Sequence, residues 1–137
     1  MNTPPIDPGS ISALLIRLKA DGQPLLLIQL DQYGTLHRMG TGFDTSRSDL
    51  AIRTTPVDLL AGLRPLIGAE LLGFAGRRLR DPELAGQVCE LALGFRWPGG
   101  ETTMEFIFGT ESQGPPEPAL RLVAAALAAT NPWYGEF

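Results

Sequence analysis

The chain is predicted to fold as a single α+β domain, and three features of its sequence lead to that prediction. Several segments alternate apolar and polar residues with a period of two, which is typical of half-buried strands. Turns rich in Gly, Pro and Asp separate these segments. Two segments with helical character each follow a group of strands. The predicted order is therefore βββαβββα, an antiparallel sheet of about six strands with two helices packed on one face.

An N-terminal meander of three strands is predicted first. Its first strand covers residues 10–19, where three apolar side chains share one face: Leu14, Ile16 and Leu18. The Asp21-Gly22 turn leads into residues 25–30, which are nearly all apolar and are therefore expected to be covered on both faces. A second turn precedes a third strand over residues 35–39. The residues before the meander, 1–9, include three prolines and are predicted to form an extended arm, which leaves 10–137 as the domain.

The regular pattern stops over residues 40–55, which are rich in small polar side chains. A connection of this length is uncommon within a compact domain and is usually functional or mobile. A helix is predicted after it, with Thr55 as the cap, Pro56 as the first helical residue and Asp58 in the first turn. Leucines at helical spacing form its buried face: Leu59, Leu60, Leu63 and Leu66.

Three further strands are predicted over residues 70–77, 88–97 and 102–108, with a loop over 78–86. The strand at 88–97 has the longest alternation in the chain. Residues 81–93 also fit a helix, since they open with Asp-Pro-Glu and carry apolar residues at helical spacing. The sustained period of two favours the strand.

The last two strands are predicted to form a hairpin. A two-residue loop at 99–100 is typical hairpin chemistry because both residues are glycine. This loop sets a register in which every apolar residue meets an apolar partner. The expected pairs are Leu91 with Phe108, Leu93 with Phe106 and Phe95 with Met104.

A final helix is predicted over residues 119–130, ending before Pro132. Its only charged residue is Arg121, so its outer face is too apolar for a solvated helix. Residues 133–137 add three aromatics, and such a tail usually docks on the domain. The apolar outer face predicts self-association as a homodimer.

Composition excludes several classes of function. The chain has a net charge of −4, which argues against nucleic-acid binding. A single His, a single Cys and the absence of any His or Cys pair leave no metal motif, so no cofactor or metal is expected. No signal peptide and no apolar run of membrane-spanning length is found, which predicts a cytoplasmic protein with no membrane contact. The excess of Arg over Lys suggests a bacterial source with a GC-rich genome.

One constellation nevertheless fits a binding site for a small anionic ligand. His37 and Arg38 are possible donors, Thr41 lies between two glycines whose backbone is a possible cradle, and Arg47 is placed to close over it. A strand end followed by a flexible loop explains the same residues, because Gly-x-Gly alone is a weak signal. No catalytic motif gathers around His37 or Cys89.

Two functional hypotheses follow from these patterns. The first is a non-enzymatic interaction or binding module that self-associates and binds a protein or a small ligand. The second is a small-molecule or anion sensor, or an enzyme, that uses the 37–47 region. The environment of His37 separates them, because the second hypothesis requires His37, Arg38 and Arg47 to line one pocket.

Overall fold

The computed structural model describes residues 7–135 and has two layers, a seven-stranded sheet and a layer of helices on one of its faces. The strands are β1 (Ala13–Ala20), β2 (Gln23–Asp31), β3 (Thr35–Met39), β4 (Leu50–Thr54), β5 (Arg78–Arg80), β6 (Val88–Trp97) and β7 (Gly100–Gly109). The helices are α1 (Leu59–Leu63), α2 (Ala69–Leu72) and α3 (Glu117–Tyr134). Short 3₁₀ turns cover Pro8–Ser10 and Arg64–Leu66.

The sheet has the strand order β4-β3-β2-β1-β6-β7-β5. Every neighbouring pair is antiparallel except β5 and β7, which are parallel. The α+β class is confirmed. The sheet is mixed and has seven strands with three helices, where an antiparallel sheet of about six strands and two helices was predicted.

The core lies between the helices and one face of the sheet. The sheet contributes alternate side chains from its five central strands: Leu14, Ile16, Leu26, Ile28, Leu30, Leu36, Leu91, Leu93, Phe95, Met104 and Phe106. The helix layer contributes buried residues from every helix: Leu60, Leu63, Leu71, Ala119, Leu122 and Ala126. The opposite face of the sheet is covered by no helix among the described residues, so β2 is covered on one face and exposes Gln29 on the other.

The hairpin of β6 and β7 forms in a different register from the predicted one. Its two-residue loop is Pro98-Gly99, because Trp97 pairs with Gly100. Leu93 consequently pairs with Met104, two residues away from the expected partner. A shift of two residues leaves every side chain on its predicted face, so alternation alone does not distinguish the two registers.

Three elements replace segments that were predicted otherwise. β4 lies inside the predicted 40–55 loop. Its burial pattern is the reverse of the one expected from side-chain size, because the small Ala51 is buried while Leu50 and Ile52 are exposed. α2 and a following turn replace the predicted strand over 70–77, because one helical turn buries Leu71 in the core. β5 lies in the predicted loop over 78–86.

The helix ends also differ from the prediction. The cap of α1 is Asp58, whose carboxylate accepts from the Ala61 N–H at 3.1 Å, while Thr55 bonds the carbonyl oxygen of Gly34 at 3.1 Å. α3 continues through Pro132 to Tyr134. A proline inside a helix removes one hydrogen bond and costs about 3 kcal/mol. The contacts of the last turn, described below, offset that cost.

The remaining predictions concern residues 81–93 and the N-terminal arm. β6 begins at Val88, so the strand interpretation is confirmed over the helical one. Residues 1–6 of the arm lie outside the described residues, and its end forms the 3₁₀ turn Pro8–Ser10, capped by Asp7. Within residues 7–135, the structure contains no helix that is both long enough and apolar enough to cross a membrane.

Candidate functional site

The predicted site residues lie at the end of β3 and in the loop that follows it, where the last turn of α3 packs against them. Four side chains interlock at this point, and we call them the Tyr134 cluster: Arg38, Arg47, Asp49 and Tyr134. Arg38 and Arg47 are predicted site residues. Asp49 and Tyr134 are contributed by the loop and by α3.

Arg38 lies on the core face of β3 and is fully buried. Its Nε donates to the carbonyl oxygen of Gly40 at 2.9 Å. Its Nη1 donates to Thr130 Oγ1 and Asn131 Oδ1, both at 2.8 Å. Burial lowers the pKa of the guanidinium from its ordinary value, and nearby Arg47 lowers it further, while Tyr134 has the opposite effect. Arg38 therefore joins β3 to the C-terminal turn of α3.

Tyr134 is buried, and its hydroxyl is inserted into the β3–β4 ladder. The hydroxyl accepts from the N–H of Gly40 at 2.8 Å and donates to the carbonyl oxygen of Asp49 at 2.6 Å. The register of β3 and β4 places Gly40 opposite Asp49, one position beyond the Met39–Leu50 pair. The phenol thus replaces a direct backbone hydrogen bond between those two residues and extends the ladder by one rung.

Arg47 covers the outer side of the Tyr134 ring. Its Cζ lies 3.8 Å from the ring centroid, which is a close cation–π contact, and the Cζ of Arg38 lies 4.9 Å from the same centroid. Arg47 also binds Asp49 through both carboxylate oxygens, at 3.1 and 2.8 Å. This pairing lowers the pKa of Asp49 and raises the pKa of Arg47. The cluster therefore holds both arginines in intramolecular contacts.

His37 lies on the opposite face of the sheet from Arg38. Successive residues of a strand point to opposite faces, so two neighbours in one strand cannot line the same pocket. His37 pairs with Gln29 of β2 and Ile52 of β4, both exposed on the open face. The structure brings Arg38 and Arg47 together at Tyr134 and leaves His37 outside that group.

The Gly40-Thr41-Gly42 segment turns back along β2. Gly40 has a φ of +82°, and a side chain there would collide with the carbonyl oxygen of Leu25. The Gly42 N–H donates to that same carbonyl oxygen at 2.9 Å, and the Gly40 N–H is bound by Tyr134. Both backbone donors of the possible cradle therefore have partners within the chain.

Thr41 organises the next turn of the loop. Its Oγ1 accepts from the N–H groups of Phe43 and Asp44, at 3.1 and 3.3 Å. Asp44 in turn accepts from the N–H of Ser46 at 3.0 Å and from its hydroxyl, and these bonds lower the pKa of Asp44. The loop is thus built from local side-chain bonds that favour an ionised Asp44.

A shallow groove of about 400 Å³ separates this loop from α3. It is lined by Thr41, Phe43, Asp44, Ala124, Leu127, Ala128 and Asn131. Phe43 is 82% exposed at its rim, and the one charge in the lining is the carboxylate of Asp44. The groove is therefore suited to apolar contacts and is unfavourable for an anion.

Cys89 is buried, and burial raises the pKa of its thiol, which disfavours the nucleophilic thiolate. Among residues 7–135, no group of three His, Cys, Asp or Glu side chains is positioned to hold a metal ion.

Comparison with known proteins adds no relative. No family model matches the chain, and neither the curated proteins nor the solved structures contain a match to it.

Sequence reasoning missed Asp49, Thr130, Asn131 and Tyr134 as members of this region. The aromatic tail gave the available signal, since it was expected to dock, and Tyr134 is buried with 3% exposure. Residues 136–137 of that tail lie outside the described residues. The partner of the tail was not predictable, because helix and loop are more than 80 residues apart, as the separation of 85 between Asp49 and Tyr134 shows.

Proposed function

We propose that the protein is a non-enzymatic interaction module that works as a homodimer. The observation that supports the proposal is the concentration of exposed apolar side chains in one segment. Phe43, Leu50 and Ile52 are 82%, 51% and 56% exposed, and they lie within one stretch of ten residues in the sequence. We call these residues the 43–52 surface. Leu50 and Ile52 lie two residues apart on the open face of the sheet, and contiguous exposed apolar groups mark interaction sites.

The Tyr134 cluster supplies the rigidity that such a surface needs. It fixes the loop before β4 through Arg47, Asp49 and the hydroxyl of Tyr134. An ordered surface binds at a lower entropic cost than a mobile one. The charged side chains of the cluster therefore support a binding surface.

The outer face of α3 carries further exposed apolar residues, across the groove from Phe43 and on the other side of the sheet from Leu50 and Ile52. Leu120 is 47% exposed, and Ala124 and Ala128 are exposed along the same side of the helix. The ion pair of Arg121 with Glu117 is at the beginning of the helix, away from the groove. Ala126 is fully buried and Ala125 is partly buried, so the outward side of the helix carries Ala124 and Ala128.

The alternative function, a small-molecule or anion sensor or an enzyme, has less support. It requires His37, Arg38 and Arg47 to face one ligand, and His37 is on the other face of the sheet. Arg38 and Arg47 already bind groups of the chain. Titration with inorganic phosphate, followed by NMR of the Gly40 and Gly42 amides, tests it directly. Saturable shifts at these amides would support the alternative over an interaction module.

Sedimentation equilibrium at micromolar concentrations tests the main proposal. The unmodified protein is expected to be a dimer. Replacing Phe43 and Ile52 together by serine should shift it toward the monomer, because both apolar side chains are lost from the 43–52 surface. Tyr33→Ser is the matched control, since Tyr33 is 79% exposed at the turn that begins β3. A monomeric unmodified protein would contradict the proposal.

A further inference from the structure

β4 is an edge strand whose outer N–H and C=O groups point away from β3, and one of them, the carbonyl oxygen of Ile52, accepts from the Arg53 side chain. Thr55 N–H donates to the carbonyl oxygen of Gly34 at 2.8 Å, which makes Gly34 and Thr55 a hydrogen-bonded pair. Hydrogen-bonded and non-hydrogen-bonded pairs alternate along an antiparallel ladder, so this pair sets the phase, that is, which residues of β4 bond to β3. In that phase Ala51 and Arg53 bond toward β3, while Leu50, Ile52 and Thr54 direct their N–H and C=O groups away from it. Within residues 7–135 no strand pairs with this outer edge.

The two edges of the sheet are protected differently. β5, at the opposite edge, is three residues long and has exposed arginines at both ends, Arg78 and Arg80. Short, charged edge strands prevent unwanted pairing. β4 has five residues, no proline and no lysine, and it exposes Leu50 and Ile52. It therefore has few of the features that normally block edge pairing.

The residues around Ala51 are complementary to themselves. The apolar residues Leu50 and Ile52 lie one residue on either side of Ala51. Asp49 and Arg53, which carry opposite charges, lie two residues on either side of it. Hydroxyl residues, Ser48 and Thr54, lie three residues away on each side. In an antiparallel pair centred on Ala51, Leu50 lies opposite Ile52 of the second copy, and Arg53 lies opposite its Asp49. We propose, on the basis of the homodimer proposed above, that two copies pair through β4 in this register and form one continuous sheet across a two-fold axis.

The phase of the ladder agrees with this register. The backbone N–H and C=O groups of Leu50 and Ile52 point to the open edge. Leu50 of each copy therefore pairs with Ile52 of the other copy, and each residue of the pair both donates and accepts a backbone hydrogen bond. Ala51 meets its own copy in a non-hydrogen-bonded pair, where the backbones come closest and a small residue fits. Leu50 and Ile52 then form apolar cross-strand contacts on the open face of the sheet.

Charge complementarity argues for a second copy over an unrelated strand. The Asp49 side chain is 61% exposed although Arg47 binds it, so its carboxylate is accessible to a second arginine. Arg53 is exposed, and its Nη1 donates to the carbonyl oxygen of Ile52 at 3.1 Å. In the dimer, the Leu50 N–H of the second copy donates to that carbonyl oxygen in place of Arg53. The Arg53 side chain then binds the Asp49 carboxylate of the second copy. Two equivalent ion pairs form on the face that carries the helices.

Cysteine cross-linking determines the register. In a Cys89→Ser background, Ala51→Cys is expected to form a disulfide-linked dimer under mild oxidation, because position 51 faces its own copy across the axis. Ile52→Cys and Arg53→Cys should cross-link poorly with themselves, while a mixture of Leu50→Cys and Ile52→Cys proteins should form mixed dimers. Self-linking that is strongest at position 52 or 53, or comparable at all three positions, would overturn the register.

A proline variant tests the edge pairing itself. Ile52→Pro removes an outward N–H and leaves the ladder with β3 intact, so it should weaken dimerisation by at least about tenfold without changing the circular dichroism spectrum. Ile52→Thr keeps that N–H and is the control for the smaller loss of apolar contact. Arg53→Glu should also weaken the dimer, while Arg17→Glu, the same charge change on the open face, should not.

The outcomes separate this inference from the proposed function. A stable dimer that neither Ile52→Pro nor Arg53→Glu weakens would overturn β4 pairing and leave the homodimer in place. A monomeric unmodified protein would overturn both. If Ile52→Pro does not fold, the cross-linking pattern of positions 50–53 decides the result.

Discussion

The hydroxyl of Tyr134 donates a hydrogen bond of 2.6 Å to the carbonyl oxygen of Asp49. The same hydroxyl accepts from Gly40, so the side chain of a C-terminal helix completes the ladder between β3 and β4. This contact connects the stability of α3 to the position of the 43–52 surface. Its removal should therefore affect both.

Tyr134→Phe is expected to lower the free energy of unfolding by about 1–3 kcal/mol, because it leaves the Gly40 N–H and the Asp49 carbonyl oxygen without the bridging hydroxyl. Urea denaturation measures the loss. Tyr33→Phe is the matched control and should have little effect, since Tyr33 is 79% exposed. Equal stability of the two variants would show that water or a direct backbone bond replaces the phenol.

The loop before β4 should loosen in acid. Pairing with Arg47 lowers the pKa of Asp49, so the carboxylate stabilises the folded state fully above the ordinary pKa of about 4. That contribution is lost as the pH falls through the lowered value. The stability advantage of the unmodified protein over Asp49→Asn should therefore shrink below about pH 4. An advantage that is independent of pH would contradict the prediction.

Gly40→Ala should be strongly destabilising. The residue has a φ of +82°, and an added Cβ would collide with the carbonyl oxygen of Leu25. Gly22→Ala is the matched control, since Gly22 has a φ of +79° and nothing within 4 Å of the added atom. The control should lose about 1–2 kcal/mol from the left-handed conformation alone. Thermal unfolding of the two variants measures the difference, and similar losses would show that the loop moves away from β2 at little cost.

Phe95→Ala should lower the free energy of unfolding by about 3–5 kcal/mol, as expected for a large aromatic that is 2% exposed. Arg96→Ala should cost less than about 1 kcal/mol, because its 3.5 Å ion pair with Glu101 is exposed to solvent. Urea unfolding of both variants decides the assignment of faces. Comparable losses would mean that the two faces of β6 are equally important for stability.

The predicted site and the observed cluster overlap because two local features of the sequence point to the same region. The gap in periodicity marked residues 40–55, and Arg38 and Arg47 are two of the few cations near the start of that segment. Local signals do not reveal which face of a strand a charged residue occupies when its neighbours are ambiguous. Leu36 and Met39 flank His37 and Arg38 with apolar side chains on both faces. Burial of the charge against Thr130 and Asn131 therefore became apparent only in three dimensions.

The sequence by itself determined the class of the fold and the faces of its clearest strands. Alternation between 88 and 97 specifies which side chains of β6 enter the core, because a strand has a side-chain period of two. Tertiary structure decided what depends on distant partners. A register shift of two residues keeps every face, so the packing of the hairpin selected Leu93 opposite Met104. The contacts of Tyr134 carried α3 past Pro132, because hydrogen bonds and burial there outweigh the local preference of the proline to end a helix.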